Sequence, residues 1–270
     1  MMIQDSDVEV LIKTIYDYHG FDFSGYSRAS FKRRVDRLYQ LDGFHNFSEF
    51  LYTVQSDPDY FQRMIVEITV NVTEMFRDPL FYKTVREQIL PDLTTKPFIR
   101  LWHAGCSTGE EVYSMAILLK EANLLHKSLI YATDINPEVL TAAKKGVFPL
   151  RTIVQYAHNY RLSGGKNDFS DYYTANYGLA QFKSELSSKI VFSQHNLVTD
   201  SSFNEFDLIL CRNVLIYFDK DLQDRALSLF DASLTKLGYL ALGTKESIKY
   251  SAIQAKYQQV AKDRIWRKVR

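Results

Sequence analysis

The sequence predicts an α/β protein in which a mostly parallel, seven-stranded sheet carries helices on both faces. An all-helical region precedes this sheet, and a small β insertion interrupts it. From about residue 97, short apolar runs alternate with amphipathic stretches, which is typical of a parallel sheet covered by helices. Before residue 90, apolar residues recur at helical spacing. Residues 156–189 are rich in Tyr, Gly and Ser and include DYYTANYGLAQF, which is typical of strand, turn and strand.

An all-helical domain is predicted over residues 1–75. Within it, the segment SRASFKRRVDRLYQ places Phe31, Val35 and Leu38 at helical spacing, so these side chains are expected to face the core. Two serines near the start of the segment are suited to cap the helix. The remaining side chains are mostly basic, which leaves a positively charged outer face.

A linker and a connecting helix are predicted over residues 76–96. The dipeptide Asp78-Pro79 is typical of a helix start, so the preceding residues NVTEMFR are expected to form a loop between two domains. Three side chains of this loop are candidates to reach over a ligand site: Asn71, Thr73 and Arg77. The alternative is that the arginine is a solvated loop charge.

The second domain is predicted over residues 97–270. Its five parallel strands are predicted from apolar runs at residues 99–104, 129–133, 190–192, 208–211 and 239–242. Two short runs around Asp263 predict a terminal hairpin, which brings the sheet to seven strands.

Two helices of this domain carry boundary signals. Asn136-Pro137 is typical of a helix start, and Gly146 is typical of the end of the same helix. A second helix is predicted over residues 219–237, where Gly238 would stop it.

The first predicted strand leads into the loop GCSTGEE and then into a helix. Gly105 permits a tight turn and a close approach of ligand to backbone, and the free N–H groups of the helix start suit a polar ligand. The complete GxGxxG dinucleotide signature is missing. The alternative is local, because a serine and a threonine stand three residues before Glu110 and Glu111, as in a capping box.

Polar side chains follow three further strands. Asp134 ends the second strand, and its carboxylate suits ribose hydroxyls, since Asn136 already fills the capping role. Asn196 and Asn213 follow the third and fourth strands, where an amide suits the edge of an adenine, although asparagine is also a common turn residue. Because the carboxyl ends of parallel strands meet at one edge, we expect these residues to line one crevice.

Composition narrows the class of protein. Hydrophobic residues make up 46% and charged residues 24%, and the formal charge of +1 gives no reason to expect nucleic acid or an anionic membrane as partner. We expect no membrane insertion, because no apolar run approaches bilayer length and the first ten residues lack the features of a signal peptide. The two cysteines lack metal-ligand spacing, so we expect a reducing, cytoplasmic location and no metal.

Together these segments resemble the CheR-type chemotaxis receptor methyltransferases. The shared segments occur in the family's order: NVTEMFRD, LWHAGCSTGEEVYSMA, ATDIN, QHNL, CRNVLIYF and LGTKES. The resemblance implies a class I S-adenosylmethionine-dependent methyltransferase domain with a Rossmann-like sheet, an N-terminal helical domain and an inserted β subdomain. It also implies methylation of chemoreceptor glutamate side chains to methyl esters, with S-adenosylhomocysteine as the second product. The family's proline after the two glutamates is Val112 here.

The resemblance further implies which residues line the cofactor pocket: Asn71, Thr73, Arg77, Glu111 or its neighbour Glu110, Asp134, Asn196, Leu197, Asn213 and Val214. The predicted catalytic residues are Arg77, which would orient a carboxylate of the cofactor or of the substrate, and Tyr217, on the substrate side. No general base is expected, because a glutamate side chain is already ionised at neutral pH.

The predicted partners are receptor helices rich in glutamate. Five basic side chains crowd the helix that would dock them: Arg28, Lys32, Arg33, Arg34 and Arg37. The alternative is a solvated helix face. The β insertion is a candidate for contact with a receptor tail, and we expect the chain to act as a monomer.

Other functions share such a cofactor sheet. Enzymes that methylate the amino groups of bases usually carry an Asn/Asp-Pro-Pro-aromatic motif after the fourth strand, whereas this chain has the sequence RNVL there. A non-catalytic module that binds S-adenosylmethionine or a nucleotide and signals through protein contacts stays an alternative. So does a methyltransferase that acts on another protein.

Overall fold

The computed structural model describes residues 3–69, 73–262 and 264–270. The chain divides into two compact units. The first unit comprises Met1–Asn71 and Leu215–Ala226, and the second comprises Val72–Val214 and Leu227–Arg270. A short downstream stretch therefore belongs with the N-terminal helical region.

Four helices make up most of the first unit: α1 (Asp5–His19), α2 (Arg28–Asp42), α3 (Phe47–Ser56) and α4 (Pro58–Ile68). Phe31, Val35 and Leu38 of α2 are buried in the core, which confirms the predicted inward face. The downstream stretch adds to this unit through a backbone bridge between Tyr26 and Phe218.

Ten strands are described in the second unit: β1 (Ile99–Ala104), β2 (Ser128–Asp134), β3 (Val147–Pro149), β4 (Tyr173–Asn176), β5 (Leu179–Phe182), β6 (Ile190–Gln194), β7 (Phe206–Cys211), β8 (Leu234–Leu242), β9 (Tyr257–Ala261) and β10 (Ile265–Lys268). Seven of them form one sheet in the order β6-β2-β1-β7-β8-β10-β9. The first five in this order are parallel, and β10 is antiparallel to both of its neighbours. The predicted fold class, with five parallel strands and a terminal hairpin, is confirmed.

The helices that follow in the chain are α5 (Pro79–Thr84), a π-helical turn (Val85–Ile89), α6 (Leu90–Leu93), α7 (Glu110–Glu121), α8 (Pro137–Lys145), α9 (Leu150–Leu162), α10 (Ser184–Ser187) and α11 (Lys220–Ser233). The boundary signals of α8 are confirmed. The side chain of Asn136 accepts a hydrogen bond from the N–H of Glu138, and Gly146 ends the helix with a left-handed φ of 61°. These caps define the two ends of the helix.

The predicted end of the second helix was wrong. α11 ends at Ser233 rather than at residue 237, and Gly238 lies inside β8. Leu234 already pairs with Phe206 of β7, and the hydroxyl of Thr235 donates to the Phe206 carbonyl at 3.2 Å. Pairing of Leu234 with β7 therefore overrides the helical pattern of the sequence at this point.

The small insertion is a three-stranded antiparallel sheet in the order β3-β5-β4. Its hairpin, β4 and β5, turns at Tyr177-Gly178, where both residues have left-handed φ as in a type I′ turn. The third strand, β3, comes from residues 147–149 and so precedes the predicted insertion. The carboxylate of Glu121 on α7 ties the insertion to the main sheet domain, because it accepts hydrogen bonds from Tyr160 and Tyr172.

Within the described ranges, no helix is long and apolar enough to cross a membrane. Among these described residues, no group of three or more His, Cys, Asp or Glu side chains is arranged to hold a metal ion. Cys106 and Cys211 are both buried and form no disulfide, and burial raises the pKa of each thiol.

Candidate functional site

The predicted site residues of the second unit stand at or just after the ends of four neighbouring strands. In the sheet these strands follow the order β6, β2, β1 and β7. The residues that end or follow them are, in the same order, Asn196 with Leu197, Asp134, Gly105, and Asn213 with Val214. Because the carboxyl ends of parallel strands lie at one edge of a sheet, the structure brings these residues to a common edge.

The glycine loop after β1 is packed directly against the turn after β7. Gly105 has a left-handed φ of 78°, and a β-carbon on it would lie 2.5 Å from Cγ2 of Val214. The N–H groups of Gly105 and Cys106 both donate to the carbonyl of Thr133, at 2.8 and 2.9 Å. Only glycine fits this position, and the two loops form one wall.

Asp134 connects the loops that follow β1 and β2. Its Oδ2 accepts a hydrogen bond from the N–H of Ser107 at 2.9 Å, and its Oδ1 accepts one from the N–H of Asn136 at 3.0 Å. The residue is only 8% exposed, and burial raises the pKa of its carboxyl above the usual range. A carboxylate has about four acceptor positions, so Asp134 retains capacity for a ligand hydroxyl.

Glu110 is a second buried carboxylate at this edge, 7% exposed at the start of α7. Both of its side-chain partners are hydroxyl groups, those of Thr108 at 2.6 Å and Tyr156 at 3.5 Å. Burial raises the pKa of its carboxyl. Gly109 stands at the N-cap of α7, so the capping-box alternative is not formed here.

Glu111 has a different environment from its neighbour. Its Oε1 is hydrogen-bonded to Nδ1 of His103 at 3.0 Å, and its Oε2 accepts from Arg212 at 3.1 Å. Burial raises the pKa of Glu111, but the hydrogen bond from His103 and the charge of Arg212 together hold it below the usual value. Glu111 is thus an ion-paired carboxylate, and the fully buried His103 orients it.

The segment before α5 is fixed through its backbone. The N–H of Phe76 donates to the hydroxyl of Ser114 at 3.0 Å, and the side-chain amide of Asn159 donates to the carbonyl of Met75 at 3.1 Å. Arg77 follows and is half-buried. Thr73 is half-buried at the start of this segment, whereas Asn71 lies outside the described residues.

The turn after β7 depends on a glutamate that the sequence analysis did not single out. Asn213 has a left-handed φ of 63°. The carboxylate of Glu246, which is 4% exposed, accepts hydrogen bonds from the N–H groups of Asn213 and Val214, both at 2.9 Å, and of Gly243 at 2.6 Å. The only signal for this residue was its place in the segment LGTKES.

Asn196 forms a local turn, which is the alternative role given for asparagine in the sequence analysis. Its Oδ1 accepts from the N–H of Val198, and its own N–H donates to Asp200, both at 2.9 Å. Leu197 is buried beside it. The turn sets the backbone after β6, so main-chain groups and the side-chain nitrogen are the polar groups available to a ligand there.

Tyr217, the second predicted catalytic residue, belongs to the first unit. It lies in a short 3-10 turn, Leu215–Tyr217, and its carbonyl accepts a hydrogen bond from the N–H of Ser27 at 2.8 Å. The guanidinium of Arg34 stacks over its ring at 5.3 Å. The phenol is therefore part of the surface around α2.

The basic side chains of α2 divide into two groups. Arg28 pairs with Glu9 at 2.8 Å and Lys32 with Asp5 at 2.5 Å, so α1 neutralises two of them, while Arg34 is half-buried against an aromatic ring. Arg33 and Arg37 are exposed, and both line a shallow groove along the helix. The remaining lining residues are Ala29, Lys32, Asp36 and Gln40.

Comparison with known proteins extends over nearly the whole chain. The profile described as "CheR methyltransferase, SAM binding domain" matches residues 71–265, and "CheR methyltransferase, all-alpha domain" matches residues 6–69. The protein named Cher3 of Pseudomonas putida is 49% identical over 266 residues, which cover 98% of this chain and 97% of that protein. Chemotaxis protein methyltransferase of Borreliella burgdorferi is 32% identical over 262 residues, covering 92% and 90% of the two chains. Chemotaxis protein methyltransferase 2 of Pseudomonas aeruginosa is 33% identical over 231 residues, covering 84% and 79%.

Proposed function

This chain belongs to the CheR methyltransferase family and methylates chemoreceptors in chemotaxis adaptation with S-adenosylmethionine as donor, and we propose that the acceptors are glutamate side chains. One observation carries the assignment of the site. Gly105, Asp134, Glu110 and the Asn213-Val214 turn gather at the carboxyl edge of three adjacent strands, β2, β1 and β7. This is where open α/β sheets bind their ligands.

The residues of this edge fit S-adenosylmethionine. Asp134 and Glu110 are buried carboxylates whose partners are N–H and hydroxyl groups rather than cations. A buried anion of this kind is stabilised by a ligand that brings positive charge or hydroxyl donors. The sulfonium, the amino group and the ribose of S-adenosylmethionine bring both, and Gly105 gives the ligand access to the backbone.

We assign the contacts by the chemistry of each residue. Asp134 accepts hydrogen bonds from the ribose hydroxyls, and Glu110 faces the amino group of the methionine moiety. The backbone at Asn196-Leu197 contacts the adenine, and Asn213-Val214 form the opposite wall. Thr73 and Arg77 close the site from the segment before α5. Asn71, which lies outside the described residues, is assigned to the cofactor only by the family resemblance.

Bound S-adenosylmethionine supplies a methyl group on a positively charged sulfur. The residues of this chain act by placement, because an ionised glutamate needs no base, and positioning alone can supply roughly 7–11 kcal/mol. His103 is fully buried against Glu111 and is not required to move a proton. Arg77 orients a carboxylate, of the cofactor or of the substrate, and Tyr217 contributes to the receptor side. Exclusion of water favours the step, since two opposite charges are lost as the ester forms.

Glu110, rather than Glu111, is the cofactor's partner in this proposal, and pH tests the assignment. Because burial raises the pKa of Glu110, its ionised form is lost at a higher pH than for an ordinary glutamate. Affinity for S-adenosylhomocysteine should therefore fall as pH is lowered from neutrality, and the fall should begin above the range in which an ordinary glutamate titrates. Glu110→Gln should bind S-adenosylhomocysteine about 10-fold more weakly at neutral pH. The pH dependence of its binding should also involve one titrating group fewer.

Calorimetric titration at several pH values measures this effect. Asp134 also has a raised pKa, so a second pH dependence should persist in Glu110→Gln. Glu111→Gln is the matched control and should retain the full pH dependence, because the pKa of Glu111 is lowered. If Glu111→Gln lost the pH dependence and Glu110→Gln kept it, the cofactor contact would belong to Glu111 instead of Glu110.

We place receptor docking on the groove of α2. Arg33 and Arg37 are exposed there and complement a helix rich in glutamate. The double variant Arg33→Glu/Arg37→Glu should raise the KM for receptor by about 5- to 30-fold at low salt and leave kcat unchanged. The difference should shrink as salt is added, because exposed charges are screened.

The matched control reverses two exposed lysines of the second unit, Lys144→Glu/Lys145→Glu. Steady-state methylation of a receptor cytoplasmic fragment measures both double variants. An equal rise in KM for the two would show that net charge, rather than α2, governs the encounter.

The β insertion is the second proposed receptor contact. The strand β4 lies at an edge of its sheet, and Tyr177 at the hairpin tip is 95% exposed. An edge strand can accept an extended segment such as a receptor tail. We further propose that the chain acts as a monomer in the cytoplasm, where its two buried thiols stay reduced.

Labelled methyl transfer tests the proposed function directly. The protein is incubated with methyl-labelled S-adenosylmethionine and a receptor fragment, and the label is expected as an alkali-labile ester. A label that is stable to alkali would indicate a different acceptor atom. Cofactor binding without transfer to any receptor would favour the non-catalytic module.

A further inference from the structure

Arg212, at the end of β7, is a buried arginine at the proposed site that has no role so far. Its side chain is only 2% exposed. One arm of its guanidinium donates to Oδ2 of Asp78 at 2.6 Å, and the other donates to Oε2 of Glu111 at 3.1 Å. The same group lies 4.0 Å from the ring centre of Phe81. A buried charge with this many fixed partners holds its surroundings in one arrangement.

The segment that Arg212 holds is strained around Arg77. Phe76 and Asp78 both have left-handed φ, 55° and 57°, which is costly for residues other than glycine. Such a conformation persists only where the surroundings enforce it. Arg212 donates to the carbonyl of Arg77 at 3.4 Å as well as to Asp78, so it fixes the C-terminal half of this turn.

The other arm of Arg212 determines the position of Glu111. With His103 on its second oxygen, that carboxylate is held by two partners at the start of α7. Both oxygens of Glu111 are thereby held by His103 and Arg212, whereas the side-chain partners of Glu110 are hydroxyl groups. One guanidinium thus joins the segment before α5, the start of α7 and the end of β7.

We propose that Arg212 is a positioning residue for methyl transfer, which acts by fixing the strained turn that presents Arg77. This inference rests on the proposed function. Arg212 itself does not touch the reacting atoms. Lysine cannot replace it, because a single ammonium lacks the planar fork that reaches Asp78 and Glu111 together.

The test measures kcat for methyl transfer in Arg212→Lys, in Arg77→Ala and in the double variant. If Arg212 acts through Arg77, Arg212→Lys should lower kcat by about 30-fold, and it should add little to the loss in Arg77→Ala. A purely structural role would instead multiply the two losses. Multiplied losses, or an unchanged kcat in Arg212→Lys, would overturn the proposal.

Two further variants keep the test informative. If Arg212→Lys does not fold, Asp78→Ala removes the same contact from a more exposed residue and should lower kcat by about 10-fold, again without adding to Arg77→Ala. Arg86→Lys is the matched control, since Arg86 forms another arginine–glutamate pair in this unit, with Glu121 at 2.5 Å. The kcat of Arg86→Lys should stay within about twofold of wild type.

A wild-type protein that transfers no methyl group would refute the proposed function, and the inference with it. An active wild type with unchanged Arg212 and Asp78 variants would refute the inference alone.

Discussion

Replacement of Arg77 by alanine is expected to lower kcat/KM for methyl transfer by about 100- to 1,000-fold, because a misplaced carboxylate no longer meets the methyl carbon in line. The fold should be retained, because the neighbouring backbone is held by Ser114 and Asn159. Labelled methyl transfer gives the rate, and thermal unfolding gives the stability. Activity within about threefold of wild type would remove Arg77 from the mechanism.

The same variant identifies which carboxylate Arg77 orients. If it binds the cofactor's carboxylate, Arg77→Ala should also weaken binding of S-adenosylhomocysteine. If Arg77 binds the substrate's carboxylate, binding of S-adenosylhomocysteine should be unchanged and the KM for receptor should rise. Arg77→Lys should recover only part of the activity, because lysine keeps the charge but loses the bidentate geometry.

Replacement of Asp134 by alanine is expected to weaken binding of S-adenosylhomocysteine by about 100- to 1,000-fold, because hydrogen bonds to a charged group contribute about 1.5–3 kcal/mol each. Besides the proposed ribose contacts, the variant loses the bonds to Ser107 and Asn136 that connect two loops of the site. Calorimetric titration measures the affinity.

Asp57→Ala is the control for Asp134→Ala. Asp57 also accepts hydrogen bonds from two backbone N–H groups, but in the helical unit, so its loss should lower stability without changing cofactor affinity. If the Asp134 variant bound the cofactor as tightly as the Asp57 variant, the ribose assignment would have to be abandoned.

Much of the fold could be predicted because its signals are local. Apolar runs marked the strands, and Asn136 and Gly146 marked the ends of α8. The strand β3 could not be predicted, because three residues carry no periodic pattern and its partner β5 lies about thirty positions downstream. The end of α11 was missed for a related reason. Leu234 pairs with Phe206 in the sheet, and the local sequence does not reveal this pairing.

The site divides in the same way. Gly105, Asp134 and Asn213 could be predicted from their position after apolar strands. Arg212 and Glu246 could not, because they act through backbone and carboxylate partners that are distant in sequence. The choice between the two glutamates of α7 was also undecidable, since adjacent residues at a helix start carry equal signals, and only their three-dimensional partners separate them.

The helical unit is assembled from two separate stretches of chain, and this limits how it can be excised. The ring of Phe218 packs on Tyr26 at 5.2 Å, and a β-carbon on Gly25 would lie 2.9 Å from Leu222. A fragment truncated after the four N-terminal helices would lack these partners and expose the apolar surface that they cover. Residues 215–226 would have to be supplied, in cis or as a peptide, for that fragment to fold independently.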